Sequence, residues 1–395
     1  TGKNMFETFS DYFGGADFAD KYIMKLMEQQ APYNAASTEQ LRWLLTNYFS
    51  KVVMYFSAAS AFQYAVDQCE TDKETALDYW DTGAMFYIGS MEGELPEGNT
   101  AGGLLLFSTA KDLCEEFGTC LEDSEVGGSD IPRAMSNELL IASLNQGLQR
   151  IDSQQCTFLS DILTQDMFSV MPIPIIQGTV KYASFISTLP AGSDKASLAI
   201  ADAFSKGILP LVDGADATSA GMIQAAMEFS LVDKPGDYLV VVDALRSAIP
   251  KMNIDCNQIG DFIDESGDAS LCLGGGGNST FPGEGSSPVA SPTRAPLSVE
   301  PGSAGAIAWG RYSFATPAVA LGDAKFALDV RAMYEAADIG AASGVYADGL
   351  NALTKNLNGT NGLVSLKSLS VDSSAVMSED PLFNVFKWAL YDDKD

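Results

Sequence analysis

A mainly α fold, with a large helical domain and a small mixed α/β element after a Gly/Ser/Pro-rich linker, is what this 395-residue sequence predicts. Three observations carry that expectation. Apolar residues recur at three- and four-residue intervals through most of the chain before position 260, and helix-capping signals stand at the heads of those runs. The stretch 273–304 is too poor in apolar residues to offset the entropy of ordering it.

Taken in order, Ser37 and Gln40 fit an S-x-x-Q capping box, and LRWLLTNYFSKVVMYFSAASAFQYAVDQC after it predicts an amphipathic helix of about thirty residues. A second helix is expected over 71–88 and a third over 104–117. A fourth is expected over 130–151, with Asp130 as N-cap and Pro132 in the first turn. Further helical patterns occupy 155–170, 175–188, 194–209, 216–230 and 237–250. GGGGNSTFPGEGSSPVASPTRAPLSVEPGSAG then interrupts with proline at intervals no helix tolerates, as a spacer would. AIAWGRYSFATPAVALGDAKFALDVRAMYEAA alternates like a strand before turning helical. It is expected to pack back on the helical body, because about fifty residues alone bury little surface. The organisation read from these patterns is a helical domain over 1–272, a linker over 273–304 and a small strand-plus-helix element over 305–352 that completes the domain. Residues 353–395 are read as a linker and the start of a further repeat.

The repeat reading rests on the ends of the chain. TGKNMFETFSDYF is echoed by DGLN at 348–351 and FNVF at 383–386, and FADK at 18–21 by YDDK at 391–394. With Thr1 in place of a methionine, this points to a processed chain or one unit of a tandem array, whose partners are neighbouring repeats.

Composition excludes more than it assigns. Lys and Arg total 23 against 52 Asp and Glu, a formal charge of −29, which repels nucleic acid and anionic membranes and favours cations. The chain holds no histidine, so Ser-His-Asp and Cys-His catalysis and HExxH zinc sites are absent, and any metal site must use oxygen or sulfur. No pair of acids has a context for glycoside hydrolysis, and the expectation is a non-enzyme. No apolar run approaches the ~20 residues of a membrane span. Six cysteines without a CxxC pair, together with sequons at Asn278 and Asn358, read as a disulfide-bonded glycoprotein of the extracellular space or cell surface. Connectivity is open from sequence, but Cys114 with Cys120 closes a small loop and Cys256 with Cys272 brackets another. That arrangement leaves Cys69 for Cys156.

ALDYWDTGAMFYIGSMEG, residues 76–93, concentrates acids and aromatics. On a helix Glu74, Asp78 and Asp81 share one face, while Trp80, Ala84 and Tyr87 share another. Spacing alone leaves two readings open. One is a solvated carboxylate stripe opposite a core stripe. The other is a set of carboxylate and phenolate oxygens suited to Fe(III).

WDTGAMFYIGSMEG resembles the tryptophan-acid-aromatic-glycine-serine-x-glutamate-glycine segment of the algal iron-assimilation domain family, which includes the phytotransferrins. AKDLCEEFGTC at 110–120, VMPIPIIQGTVKYA at 170–183 and GVYADGLNA at 344–352 resemble further family segments in the same order, over roughly residues 50–352. The resemblance implies a secreted or cell-surface helical domain that takes up ferric iron, with carbonate as synergistic anion. Carried over by position, it makes Asp81, Tyr87, Glu92 and Tyr182 candidate metal ligands, and Gln177, Thr179 and Lys181 candidate anion contacts. Thr82 and Ala84 stand where the family has glutamate and tryptophan. Lys181 stands where it has arginine, so the charge is kept but the planar fork that grips carbonate is lost. The alternative reading is a degenerate structural repeat of an extracellular coat, filament or appendage that has lost the metal. If 273–304 is a spacer, limited proteolysis is expected to cut first between Gly274 and Gly302, with gel and mass analysis recovering an intact helical fragment below the cut.

Overall fold

The computed structural model describes residues 5–89, 103–121, 133–189, 195–229, 237–262, 271–272, 308–309, 312–315, 325–351, 353–355, 361–363, 365–367 and 370. Two helices, α1 (Met5–Phe13) and α2 (Phe18–Met27), precede the first predicted one. Ser37 then caps α3 (Thr38–Tyr48) as expected: the Gln40 amide donates to Ser37 Oγ at 3.2 Å, and the Ser37 amide donates to Gln40 Oε1 at 2.7 Å. The path continues through a π-helical turn, Phe49–Val53, into α4 (Met54–Gln68), so the long helix is real but widened at one turn. Asp72 caps α5 (Lys73–Ile88), accepting from the Thr75 amide at 3.1 Å.

After α6 (Leu106–Cys114), β1 (Cys120–Leu121) pairs antiparallel with β2 (Arg133–Ala134), ahead of α7 (Met135–Asp152). This corrects the predicted start of the fourth helix, because the pairing holds Arg133 and Ala134 extended; Asp130 and Pro132 lie outside the described residues. α8 (Cys156–Asp161), a second π-helical turn (Ile162–Met167) and α9 (Phe168–Val170) lead to α10 (Ile173–Thr188). α11 (Lys195–Ala215) outruns its expected end at 209 and carries Pro210 inside it. α12 (Ala217–Met227) and α13 (Tyr238–Ala248) are capped by Asp216 and Asp237, and α14 (Cys256–Ile259) follows. The later part holds the hairpin β3 (Ala308–Trp309) and β4 (Tyr312–Ser313), helices α15 (Phe326–Glu335) and α16 (Ile339–Asp348), and the hairpin β5 (Leu353–Lys355) and β6 (Asn361–Leu363). The chain is mainly helical, as its sequence predicts.

The core is organised around α5, which lies along α4 and is buried from Tyr79 to its end. The expected solvated carboxylate stripe therefore holds only in its first turns: Glu74 is exposed, whereas Asp81 is fully buried. Trp80 reaches α7 and donates from Nε1 to the Leu144 carbonyl at 3.0 Å. Its ring lies over Gly147, where an added Cβ would come within 1.9 Å of Trp80 Cζ2. Gly83 admits the ring of Phe62 and Gly178 that of Phe204 in the same way.

Among the later elements, α16 and the turn before it contact the helical body. Arg42 Nη1 donates to the Ala336 carbonyl at 2.6 Å, and Tyr346 Oη donates to Asp20 Oδ1 at 2.7 Å. Three disulfides, Cys69–Cys156, Cys114–Cys120 and Cys256–Cys272, match the pairing that spacing suggests. Among the described residues no helix is long and apolar enough to cross a membrane. The spacer 273–304 and both sequons, Asn278 and Asn358, lie outside them.

A Gly147→Ala substitution is expected to lower stability by roughly 1–3 kcal/mol, because the Trp80 ring must leave its seat. Gly214→Ala, on α11 with nothing within 4 Å of the added carbon, is expected to be neutral or slightly stabilising. Urea unfolding of the two variants checks this.

Candidate functional site

Asp81 and Tyr87 are six residues apart on α5, and at ~100° per residue their side chains leave the helix on faces roughly 120° apart. They meet different partners accordingly. Asp81 Oδ1 accepts from Tyr312 Oη at 2.6 Å, while Tyr87 Oη donates to the Met171 carbonyl at 3.0 Å. Burial, with Tyr55 nearby, pushes the Tyr87 phenol well above its ordinary pKa, and burial with the Asp81 charge does the same to Tyr312. A phenol that donates to a carbonyl keeps its proton. The two described members of the expected Asp81–Tyr87–Glu92 centre are thus turned apart, and Glu92 lies outside the described residues.

The IQGT block divides in the same manner. Gln177 Nε2 donates to the Ile259 carbonyl at 2.8 Å and to Thr119 Oγ1 at 3.3 Å, tying α10 to α14 and to the approach to β1. Thr179 Oγ1 donates back to the Ile175 carbonyl of its own helix at 2.8 Å. Both residues, candidate anion contacts by resemblance, are buried in the core.

Lys181 and Tyr182 face another way. Lys181 Nζ pairs with Glu116 Oε1 at 2.5 Å, and the Tyr182 ring stacks on Phe204 with centroids 5.5 Å apart. The Tyr182 phenol titrates above its ordinary value because it is buried and because Glu116 and Asp112 repel the phenolate. Asp112 lies on α6, and Glu116 follows it four residues along the chain. Burial raises the Asp112 carboxyl, against the pull of Lys51, Lys111 and Lys181. Lys51 comes from the π-helical turn and is 4% exposed. It donates to the Leu104 carbonyl at 2.5 Å and to Thr109 Oγ1, with its ammonium 5.6 Å from the Phe204 ring centroid.

The candidate site therefore keeps Lys181 and Tyr182 from the sequence and adds Glu116, with Asp112, Lys51 and Lys111 as the charges around it. Asp112 and Glu116 have a legible signal, an i, i+4 pair of acids inside AKDLCEE. Lys51 has one too, a lone charge in the apolar run LLTNYFSKVVMYF. What brings them to α10 is tertiary. Chemically the cluster offers hard oxygen donors next to ammonium groups, a combination able to take a cation and an oxyanion. Among the described residues no group of three or more His, Cys, Asp or Glu side chains is arranged to hold a metal, so a metal here needs the phenol as well.

No family model, no curated protein and no solved structure matches the chain. Tyr87→Phe is expected to cost about 0.5–1.5 kcal/mol, the worth of one neutral hydrogen bond. Tyr312→Phe, which takes a donor from a buried carboxylate, is expected to cost about 1.5–3 kcal/mol. Chemical denaturation of each measures the difference.

Proposed function

We propose that this chain is an exported domain that binds ferric iron together with a small oxyanion, carbonate in the form the motif resemblance implies, at the cluster of Asp112, Glu116, Lys181 and Tyr182. The observation that carries the reading is the ion pair of Lys181 with Glu116, next to Tyr182 on α10 and with Asp112 four residues before Glu116, on a strongly acidic protein. Charge accounting fits the cation, and the lysines fit the anion. Fe(III) displaces the phenolic proton of Tyr182, and the phenolate with two carboxylates matches the ion's three positive charges. A small oxyanion adds negative charge beside the lysine ammonium groups, which are suited to bind it. Glu116 would be a metal ligand here, and Lys181, its ion-pair partner, would hold the anion. Three disulfides support export, since such bonds persist in oxidising compartments.

A second reading, a structural repeat of an extracellular assembly, is favoured by a different observation. Asp81, Tyr87, Gln177 and Thr179 all spend their polar groups on holding the fold. The two readings separate in solution. Iron binding here predicts that ferric nitrilotriacetate plus bicarbonate gives a visible phenolate-to-iron band. That band is lost in Tyr182→Phe, is weakened without bicarbonate or in Lys181→Ala, and fades on acidification as protons compete for the oxygens. The structural reading predicts no bicarbonate-dependent colour in any variant.

A further inference from the structure

A cavity of about 430 Å³, within the size range of small-molecule sites, is walled by α1, α2, α11, α12 and the turn after α2. Asp202, fully buried on α11, lines it but is fully engaged. Its Oδ1 accepts from the Lys206 ammonium and from the Phe229 backbone amide at 3.1 Å, and its Oδ2 accepts from Tyr22 Oη at 2.8 Å. Lys206 in turn sits 5.2 Å from the centroid of the Tyr22 ring. That pair cancels its own charge. The charged groups left on the wall are one of each sign, Lys25 from the last turn of α2 and Glu228 just past the end of α12. Among the described residues neither of these side chains has a hydrogen-bond or ion-pair partner. Glu228 also stands where it does nothing for its helix, because the carbonyl end of a helix disfavours a carboxylate. Aromatic rings make up much of the remaining wall. Tyr12 and Phe13 meet edge to face with centroids 4.9 Å apart, Tyr12 Oη reaches Gln224 Oε1 of α12 at 3.5 Å, and Tyr33 is fixed by stacking on Phe229 at 5.7 Å.

We propose that this cavity binds a small zwitterion with an aromatic side chain, of the free α-amino acid class, with Lys25 taking its carboxylate, Glu228 its ammonium, and the rings of Tyr12, Phe13 and Tyr33 its side chain. The site shares no residue with the iron reading and needs no metal. Charge selects this class over the others. A metal ion or a simple amine would meet two ammonium groups on the wall, Lys25 and Lys206. A simple anion would meet Glu228 and the field of a chain with formal charge −29. A neutral polyol would cover both unpaired charges without pairing either, at a desolvation cost. A zwitterion has no net charge for the field to repel, and it satisfies Lys25 and Glu228 together. Its aromatic ring gains edge and face contacts with the rings of the wall. The Asp202–Lys206 pair serves as a fixed part of that wall, holding the Tyr22 hydroxyl and covering the Tyr22 ring.

The test is isothermal titration calorimetry of the full chain in metal-free buffer with four probes: L-phenylalanine, 2-phenylethylamine, which keeps only the ammonium, 3-phenylpropionate, which keeps only the carboxylate, and glucose. L-phenylalanine is expected to bind at one molecule per chain, about tenfold or more tighter than either single-charge analogue, and glucose to give no binding heat. Lys25→Ala is expected to weaken L-phenylalanine and 3-phenylpropionate by about tenfold while leaving 2-phenylethylamine unchanged. Glu228→Gln is expected to do the reverse, weakening L-phenylalanine and 2-phenylethylamine and sparing 3-phenylpropionate. Lys25 is exposed, so its variant is expected to fold, and circular dichroism checks both. The crossed pattern is one that a merely structural role for either residue would not produce. No binding of L-phenylalanine, an affinity no higher than that of the single-charge analogues, or an affinity unmoved by Lys25→Ala overturns the proposal, and none of these outcomes bears on the iron site.

Discussion

Trp80 seated on Gly147 sets the spacing on which the rest of the helical body depends. With no Cβ in the way, α5 and α7 approach until the indole fills the groove, and its N–H is satisfied by the Leu144 carbonyl. Gly83 with Phe62 and Gly178 with Phe204 repeat the device between other helices. Each is a ring filling a slot that any side chain would close, so helix distances are fixed by volume rather than by direction. This explains why the aromatic and glycine residues of α5 stand so close together in sequence: they are what lets α5 run through the middle of the core.

Much of this arrangement is legible in the sequence, and what is not has a definite cause. The capping box at Ser37, the aspartate caps at Asp72, Asp216 and Asp237 and most helix spans follow from local chemistry, which acts over three or four residues. Sequence leaves the cysteine connectivity open, although two of the three loops are short enough to suggest their pairs. Periodicity, by contrast, reports which residues share a face and not what comes to meet that face. It placed Asp81 on an acidic stripe but had no means of showing that a tyrosine from a distant hairpin would cover it. The π-helical turns were also hidden, since one extra residue in a turn leaves no mark on a pattern of three- and four-residue intervals.

The same distinction sorts the residues of the IQGT block. Gln177 and Thr179 face inward and are consumed by carbonyls and a threonine; Lys181 and Tyr182 turn toward α6 and meet its acids. Phe204 joins these two worlds. It fills the slot at Gly178, stacks under Tyr182 and lies beneath the Lys51 ammonium, so one apolar ring positions both a phenol and a buried cation. Two residues away, Asp202 leaves α11 in another direction to hold Tyr22. A single helix thus supports two separate polar clusters by alternating what it presents around its circumference.

The bond from Tyr312 to Asp81 spans 231 positions of the chain. Seen along the order of synthesis, α5 emerges from the ribosome long before the hairpin that supplies this donor, and the body must assemble around a carboxylate one of whose final partners does not yet exist. A nascent chain that stops short of the hairpin lacks this donor to a carboxylate that ends up buried in the core. The late segment consequently acts as a seal on a nearly finished core, and a chain's completeness is registered at its centre rather than at its end.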